Sequence, residues 1–431
     1  MKGKTYFALA TLGALHTANG YRPLFTRGRG TVASFSFGLV ASELPLPTIA
    51  TQAAATALVA RRGALRSPAG KLGAVVTAAS WAGLVGLHLE ARRAGDHLED
   101  ALVEGLGADY RERIVEPKRP EAGEPPPRFQ RAFRSLRGRR RYRTTKDVPY
   151  GEFGMRNQLD IWRRADLPSD GKAPVLIQIH GGAWVMGSKD AQALPLMSHL
   201  AERGWVCVAI NYRLSPRSTW PDHIVDVKRA IAWVKDHIAE YGGDPDFVVL
   251  TGGSAGGHLS ALAALTPNDP GYQPGFEEAD TAVQGAVPFY GVYDWINRDG
   301  TGSADLRVLL EKRVFKASLD EDPETWDKAS PMSRIRPDAP PIFLLHGTSD
   351  ALVPVAQARS FANMLRAVST STVAYAELPL AEHAFEAFDS VRSDHAVAAV
   401  ERFLGVLYGD HLAQASTTDE EADLEAVPGG P

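Results

Sequence analysis

The stretch LTGGSAGGHLS, Leu250 to Ser260, sets one serine among four glycines, after an apolar run and before an alanine- and leucine-rich one. Gly252, Ser254 and Gly256 fit G-x-S-x-G, the strand–turn–helix pattern that lifts a serine hydroxyl above a sheet. A plain glycine turn and a phosphate-binding loop are the rivals, and the second lacks the Gly-Lys-Ser/Thr ending of a Walker loop. Ser254 is therefore the expected nucleophile. A serine hydroxyl needs a base, and the base needs an acid to fix its tautomer. PIFLLHGTSDALVP places Asp350 just past one apolar run, and AYAELPLAEHAFE places His383 just past the next. With the chain order Ser, Asp, His that this pattern demands, Asp350 and His383 complete the expected triad. His346 is the alternative base, but it ends a strand-like run, where a structural bond suits it better. Glu382 is the alternative acid, awkwardly adjacent to His383.

A tetrahedral intermediate also needs backbone donors aimed at its oxyanion. IHGGAW, Ile179 to Trp184, follows the apolar PVLIQ and puts small residues where backbone must approach substrate. Gly181 and Gly182, joined by Ala255, are the expected donors.

These groups need a scaffold that presents strand ends together. PVLIQIH, WVCVAINY, FVVLTG, VQGAVPFYG, PIFLLHG and TVAYAELP are short apolar runs ended by turn or polar residues. Helical patterns separate most of them, as in HIVDVKRAIAWVKDHIAEY, where Ile224, Val227, Ile231, Val234 and Ile238 share a face. Strands buried on both sides and alternating with helices imply an α/β fold, a mostly parallel sheet with helices on each face. A helical insertion near the active-site mouth is expected between Tyr293 and Asp338.

The 431 residues allow one large domain and something more. With 47 basic and 51 acidic side chains, the net charge of −4 gives no reason to expect nucleic acid as a partner. Cys207, the single cysteine, lies in an apolar run and reads as a small buried hydrophobe. No cysteine cluster or His-x-x-x-His pair suggests a metal, and no cofactor is implied.

Composition changes near residue 95, before which Glu43 and Glu90 are the only acids. Three apolar stretches begin at Tyr6, Thr31 and Leu72, and the last runs 18 residues without a formal charge, near the roughly 20 that cross a bilayer. Glu43, Pro45 and Pro47 interrupt the second, which should kink, re-enter or split. Residues 1–95 are expected to be a membrane anchor, with an apolar cap folded onto the soluble domain as the rival. Arg22, Arg27 and Arg29 follow the first stretch and Arg61, Arg62, Arg66 and Lys71 the second, so the charge asymmetry that sets orientation is weak.

Residues 96–141 form the expected linker, which includes the proline-rich EPKRPEAGEPPP. Eight arginines fall in residues 128–143, a run suited to anionic lipid headgroups. Residues 142–408 then form the catalytic domain, and the acidic, aromatic-poor 409–431 a disordered tail.

HGGAW, INYRLSPRSTWPDHIVDVKRAIAWV, GGDPDFVVLTGGSAGGHLSALAAL, HGTSDALVP and EHAF together resemble the hormone-sensitive-lipase-like branch of the α/β-hydrolases. The resemblance spans about residues 20–408 and implies the α/β-hydrolase fold, ester hydrolysis and membrane association. One departure is Ala183, where many of the branch have a third glycine. Its N–H can still donate, while its methyl narrows the acyl approach.

The reading is a membrane-associated serine esterase or lipase, its partners an ester or lipid substrate and membrane lipids. An amidase or arylformamidase would use the same triad. An inactive hydrolase fold serving as a binding module would lack a triad member, and none is missing.

Overall fold

The computed structural model describes residues 2–117 and 134–425. The proline-rich linker and the first arginines of the basic run lie almost wholly outside the described residues. Eight strands form one sheet in the order β1-β2-β4-β3-β5-β6-β7-β8. They are β1 (Arg143–Pro149), β2 (Gln158–Trp162), β3 (Ala173–Ile179), β4 (Val206–Ile210), β5 (Gly243–Gly253), β6 (Gly285–Phe289), β7 (Ile342–Gly347) and β8 (Val373–Leu378). β3 to β8 are mutually parallel, as their largely apolar runs predict, while β1 and β2 add an antiparallel edge. That edge is absent from the sequence expectation. β1, RTTKDVP, is half exposed and polar, so it carries no apolar run to mark it.

Helices cover both faces. On one face α7 (Asp222–His237), α8 (Ala255–Leu265) and α11 (Val355–Val368) bury Ile224, Ile231, Leu262 and Phe361 in the core layer that also holds Val175, Ile177 and Ile179 of β3. The other face buries Leu176 and Cys207 beneath α6 (Leu194–Glu202) and α12 (Val391–Glu425), with Met197, Val400 and Phe403 in the layer. Short helices α9 (Ala304–Leu309) and α10 (Pro323–Lys328) lie in the insertion between β6 and β7. α5 (Arg134–Tyr142) leads into β1.

The N-terminal residues form α1 (Lys2–Tyr21), α2 (Thr31–Glu43), α3 (Pro45–Arg61) and α4 (Pro68–Leu106). α2 and α3 meet at a 95° bend, because Pro45 disfavours helical geometry at Leu44, which sits at φ −122° and ψ 45°. α1 lies along α4 through small and hydroxyl residues: Thr17 Oγ1 is 2.7 Å from Ser80 Oγ, and Tyr6 Oη is 3.1 Å from Thr77 Oγ1. The large apolar side chains Leu9, Leu12, Leu72, Val75 and Leu89 point outward instead. Among the described residues, α4 is long and apolar enough to cross a membrane, and the bent pair passes the same test if taken as one span.

Two expected boundaries do not coincide with breaks in structure. α4 runs through residue 95 without interruption, and its second half buries Leu98, Leu102 and Leu106, with Tyr110 beyond it, in the core layer that holds Ala374 and Phe403. Residues 96–110 are thus part of the hydrolase, not linker. Of the expected disordered tail, residues 409–425 prolong α12 to Glu425, and residues 426–431 lie outside the described residues. Acidic composition argued against a packed core there, but alanine, leucine and glutamate are good helix formers.

Candidate active site

The turn at Ser254 is enforced by close backbone approach. Ser254 has φ 58° and ψ −118°, a conformation held because its N–H donates to Phe289 O at 3.0 Å and its carbonyl accepts from His258 N at 2.9 Å. A Cβ on Gly252 would come within 2.5 Å of Ile179 O, and one on Gly256 closer still to the same carbonyl. The glycines therefore let β5 and the start of α8 press against the end of β3 with the serine at the apex.

Asp350 follows β7 and His383 follows β8. His383 Nδ1 lies 2.7 Å from Asp350 Oδ2, and Asp350 Oδ1 accepts from Leu352 N at 2.8 Å and Val353 N at 2.7 Å. Burial alone would raise the Asp350 carboxyl, but the neighbouring His383 and His346 hold it well below the usual carboxylate range. His346, the alternative base, is buried with Nε2 3.2 Å from Asp350 Oδ2 and 2.9 Å from Val353 O. It braces the acid's loop. Glu382, the alternative acid, accepts from Ala351 N at 2.6 Å and His383 N at 2.9 Å. Burial, reinforced by the charge on Asp350, pushes its pKa up to about 9, so it is a neutral tie between the two loops at pH 7.

Of the three expected oxyanion donors, Gly181 is engaged elsewhere: its N–H donates to Gln192 Oε1 at 2.6 Å. Gly182, Ala183 and Gly181 nonetheless line the same cavity as Ser254. Gly182 has φ 121° and Ala183 φ 52°, so the loop after β3 turns through left-handed backbone as it passes the serine. Ala255 opens α8, where the first N–H groups of a helix have no intrahelical acceptor.

Ser254 and His383 share a cavity of about 540 Å³. Its walls include part of the insertion expected at the active-site mouth and also part of α2, which the anchor reading did not place there. Thr31, Val32 and Phe35 of α2 contribute one side, and Leu306 and Leu309 of α9 another. Phe35 meets the His383 ring edge-on at 5.9 Å, and Tyr290 approaches it at 4.4 Å. The Tyr290 hydroxyl donates to Glu386, whose carboxyl burial holds above its ordinary range. Phe385 is fully buried. One signal for α2 was available: a lone carboxylate in a long apolar stretch, Glu43, requires a partner. That partner, Arg392, lies at the start of α12, and both side chains are buried.

Other proteins share this architecture. The BD-FAE family matches residues 159–365. The probable carboxylic ester hydrolase LipM of Mycobacterium tuberculosis is 52% identical over 405 residues, covering 94% of each chain. Esterase LipQ of the same organism is 50% identical over 77% of this chain and 79% of its own. Among solved structures, a truncated carbohydrate esterase from gut microbiota superposes with a TM-score of 0.52 at 26% identity, over 61% of this chain and 97% of that one. Thermogutta terrifontis esterase 2, phosphonylated by sarin, gives 0.50 at 27% identity, over 56% and 86%. This chain belongs to the hormone-sensitive-lipase-like α/β-hydrolases and is a carboxylic ester hydrolase.

Proposed function

We propose that the chain is a membrane-associated serine esterase in which Ser254, His383 and Asp350 form the triad. The observation that carries this reading is a serine on a strained turn, sharing a cavity with a histidine whose Nδ1 is 2.7 Å from a buried carboxylate. Because Asp350 stays ionised, it accepts from Nδ1–H and leaves Nε2 as the base. His383 Nε2 takes the Ser254 proton as Oγ attacks the ester carbonyl. The N–H groups of Gly182, Ala183 and Ala255 receive the developing oxyanion, while Gln192 keeps that of Gly181. Collapse expels the alcohol, which takes the proton from His383, and water repeats the sequence to release the acid and restore Ser254. A single donor in such a hole contributes about 10²–10³ in kcat.

Membrane association is supported by the inverted pattern of the N-terminal helices, small and hydroxyl residues between helices and leucine and valine outside. The basic α5 residues Arg137, Arg139 and Arg140 suit anionic headgroups.

Ser254→Ala is expected to abolish hydrolysis of a nitrophenyl ester and labelling by a fluorophosphonate. Full labelling of that variant would overturn the assignment. The wild type is expected to turn over the ester in preference to an N-formyl arylamine, and the reverse preference would favour an amidase.

A further inference from the structure

The bent N-terminal helix α2 touches the His383 segment at several points along its length. Thr31, Phe35, Gly38 and Ser42 recur at three- and four-residue spacing, so they share one face of the helix. Phe35 lies edge-on to His383 at 5.9 Å with an interplanar angle of 79°, and Tyr290 packs on the same imidazole at 4.4 Å. The imidazole thus has two aromatic neighbours, one of them from outside the hydrolase sheet and its insertions. One turn further on, Gly38 is pressed against Glu382: a Cβ there would stand 2.8 Å from Glu382 Oε2. At the helix end, Glu43 pairs with Arg392 and accepts from Ser390 Oγ at 2.7 Å. His383, Glu382, Ser390 and Arg392 all lie on the segment that runs from β8 into α12. At the other end, Gly28 N donates to Asp305 Oδ2 at 2.5 Å, which ties the start of the helix to the insertion.

A device whose sole task is to hold a protein on a membrane has no need of contact with the general base. An ion pair with both partners buried is retained poorly for stability alone, since well-packed apolar residues often do as well. We propose that α2 is a positioning element of the active site. Phe35 fixes the His383 ring in the orientation that reaches Ser254, and the Glu43–Arg392 pair fixes α2 on the His383 segment. The N-terminal helices then contribute to turnover of every ester, including those too small to touch a membrane. This rests on the assignment of His383 as the base.

The test uses the full-length protein in phospholipid vesicles with p-nitrophenyl acetate as a small soluble substrate. Rates are divided by the fraction of protein that a fluorophosphonate labels at saturation, so unfolded protein does not count. Phe35→Ala is expected to lower kcat at least fivefold with KM within twofold of wild type, and to slow fluorophosphonate labelling by a similar factor. Phe35→Leu, which restores bulk beside the ring, is expected to recover at least half of the lost kcat. Glu43→Gln is expected to lower kcat in the same way, and Glu43→Asp to recover part of it. A normalised kcat within twofold of wild type for both Phe35→Ala and Glu43→Gln would overturn the proposal. So would a loss confined to KM, which would make Phe35 a substrate contact only. Should Phe35→Ala yield no labelled protein, Phe35→Val carries the same expectation and the same refutation. Failure of the underlying assignment reads differently: His383→Ala would keep wild-type turnover.

Discussion

At the scale of single residues, two carboxyl groups stand beside His383 with opposite pKa shifts, Asp350 held low and Glu382 raised to about 9. That Ser254, Asp350 and His383 would come together was legible because each sits at the end of an apolar run, and strand ends of a parallel sheet converge. That the Gly181 N–H would be engaged elsewhere was not legible, because it turns on Gln192, whose side chain accepts from it. Asp350→Asn is expected to lower kcat by about 10³–10⁴ with the fold intact, since an amide can hold the wrong imidazole tautomer. Less than a tenfold loss, together with a large loss for Glu382→Gln, would move the acid to Glu382. Glu382→Gln is expected instead to change turnover little at pH 7, because the buried carboxyl is already neutral with its pKa near 9. It should also change the pH dependence of stability. A carboxyl raised from its ordinary value to about 9 gives the folded state one more proton than the unfolded state across that window. Its contribution is then fully present at acid pH and declines by about 1.4 kcal/mol per pH unit as pH rises toward 9. Unfolding midpoints of wild type and Glu382→Gln between pH 5 and 9 check this: the variant should lose less stability as pH rises.

At the scale of elements, apolar runs located the six parallel strands and the helices between them, because β3 to β7 are buried on both faces and the edge strand β8 on one. β1 and β2 escaped for the opposite reason, since an edge ribbon with one exposed strand needs no such run. Glycines fixed the geometry between β5 and α8, but what holds the far end of α8 was not readable. Lys228, on α7, is buried with Nζ 3.0 Å from Ala263 O and also bonded to Thr266 O, so its ammonium satisfies carbonyls at the C-terminal end of α8. Desolvation lowers its pKa to about 7. Lys228→Met would leave those carbonyls without that donor, and buried unsatisfied groups cost about 1–3 kcal/mol each. A fall in urea midpoint of that order is expected, with kcat per labelled site close to wild type. An unchanged midpoint would show that the ammonium does not stabilise this helix end.

At the scale of the whole molecule, the division into anchor, linker and enzyme was the least readable feature, because an apolar helix that crosses a bilayer and one that covers an active site have the same composition. α4 packs in two different ways along one continuous helix. Its first half exposes Leu72, Val75 and Leu89, whereas its second half buries Leu98 and Leu102 against the sheet layer. The join is close: a Cβ on Gly105 would meet Ala374 Cβ of β8 at 2.8 Å. Glu99 adds an ion pair to Arg402 of α12, and its carboxyl is held low by Tyr110, Arg111 and Arg402 against the effect of burial. A chain shortened to begin near Glu116 therefore loses Leu98, Leu102, Leu106 and Tyr110 from its core along with the α2 wall of the cavity. It is expected to aggregate through the uncovered face and to hydrolyse even short esters poorly. The full chain in isolated membranes is expected to resist extraction by high salt and by alkali, which release electrostatically held proteins but not spanning helices. The two measurements separate the roles of the N-terminal helices. Aggregation of the shortened chain with resistance of the full chain means that one set of helices both spans and completes the enzyme. Release by alkali would leave them as a cap alone. A soluble shortened chain with wild-type turnover would make them an anchor alone and would contradict the packing of α2 on the His383 segment and of α4 on β8.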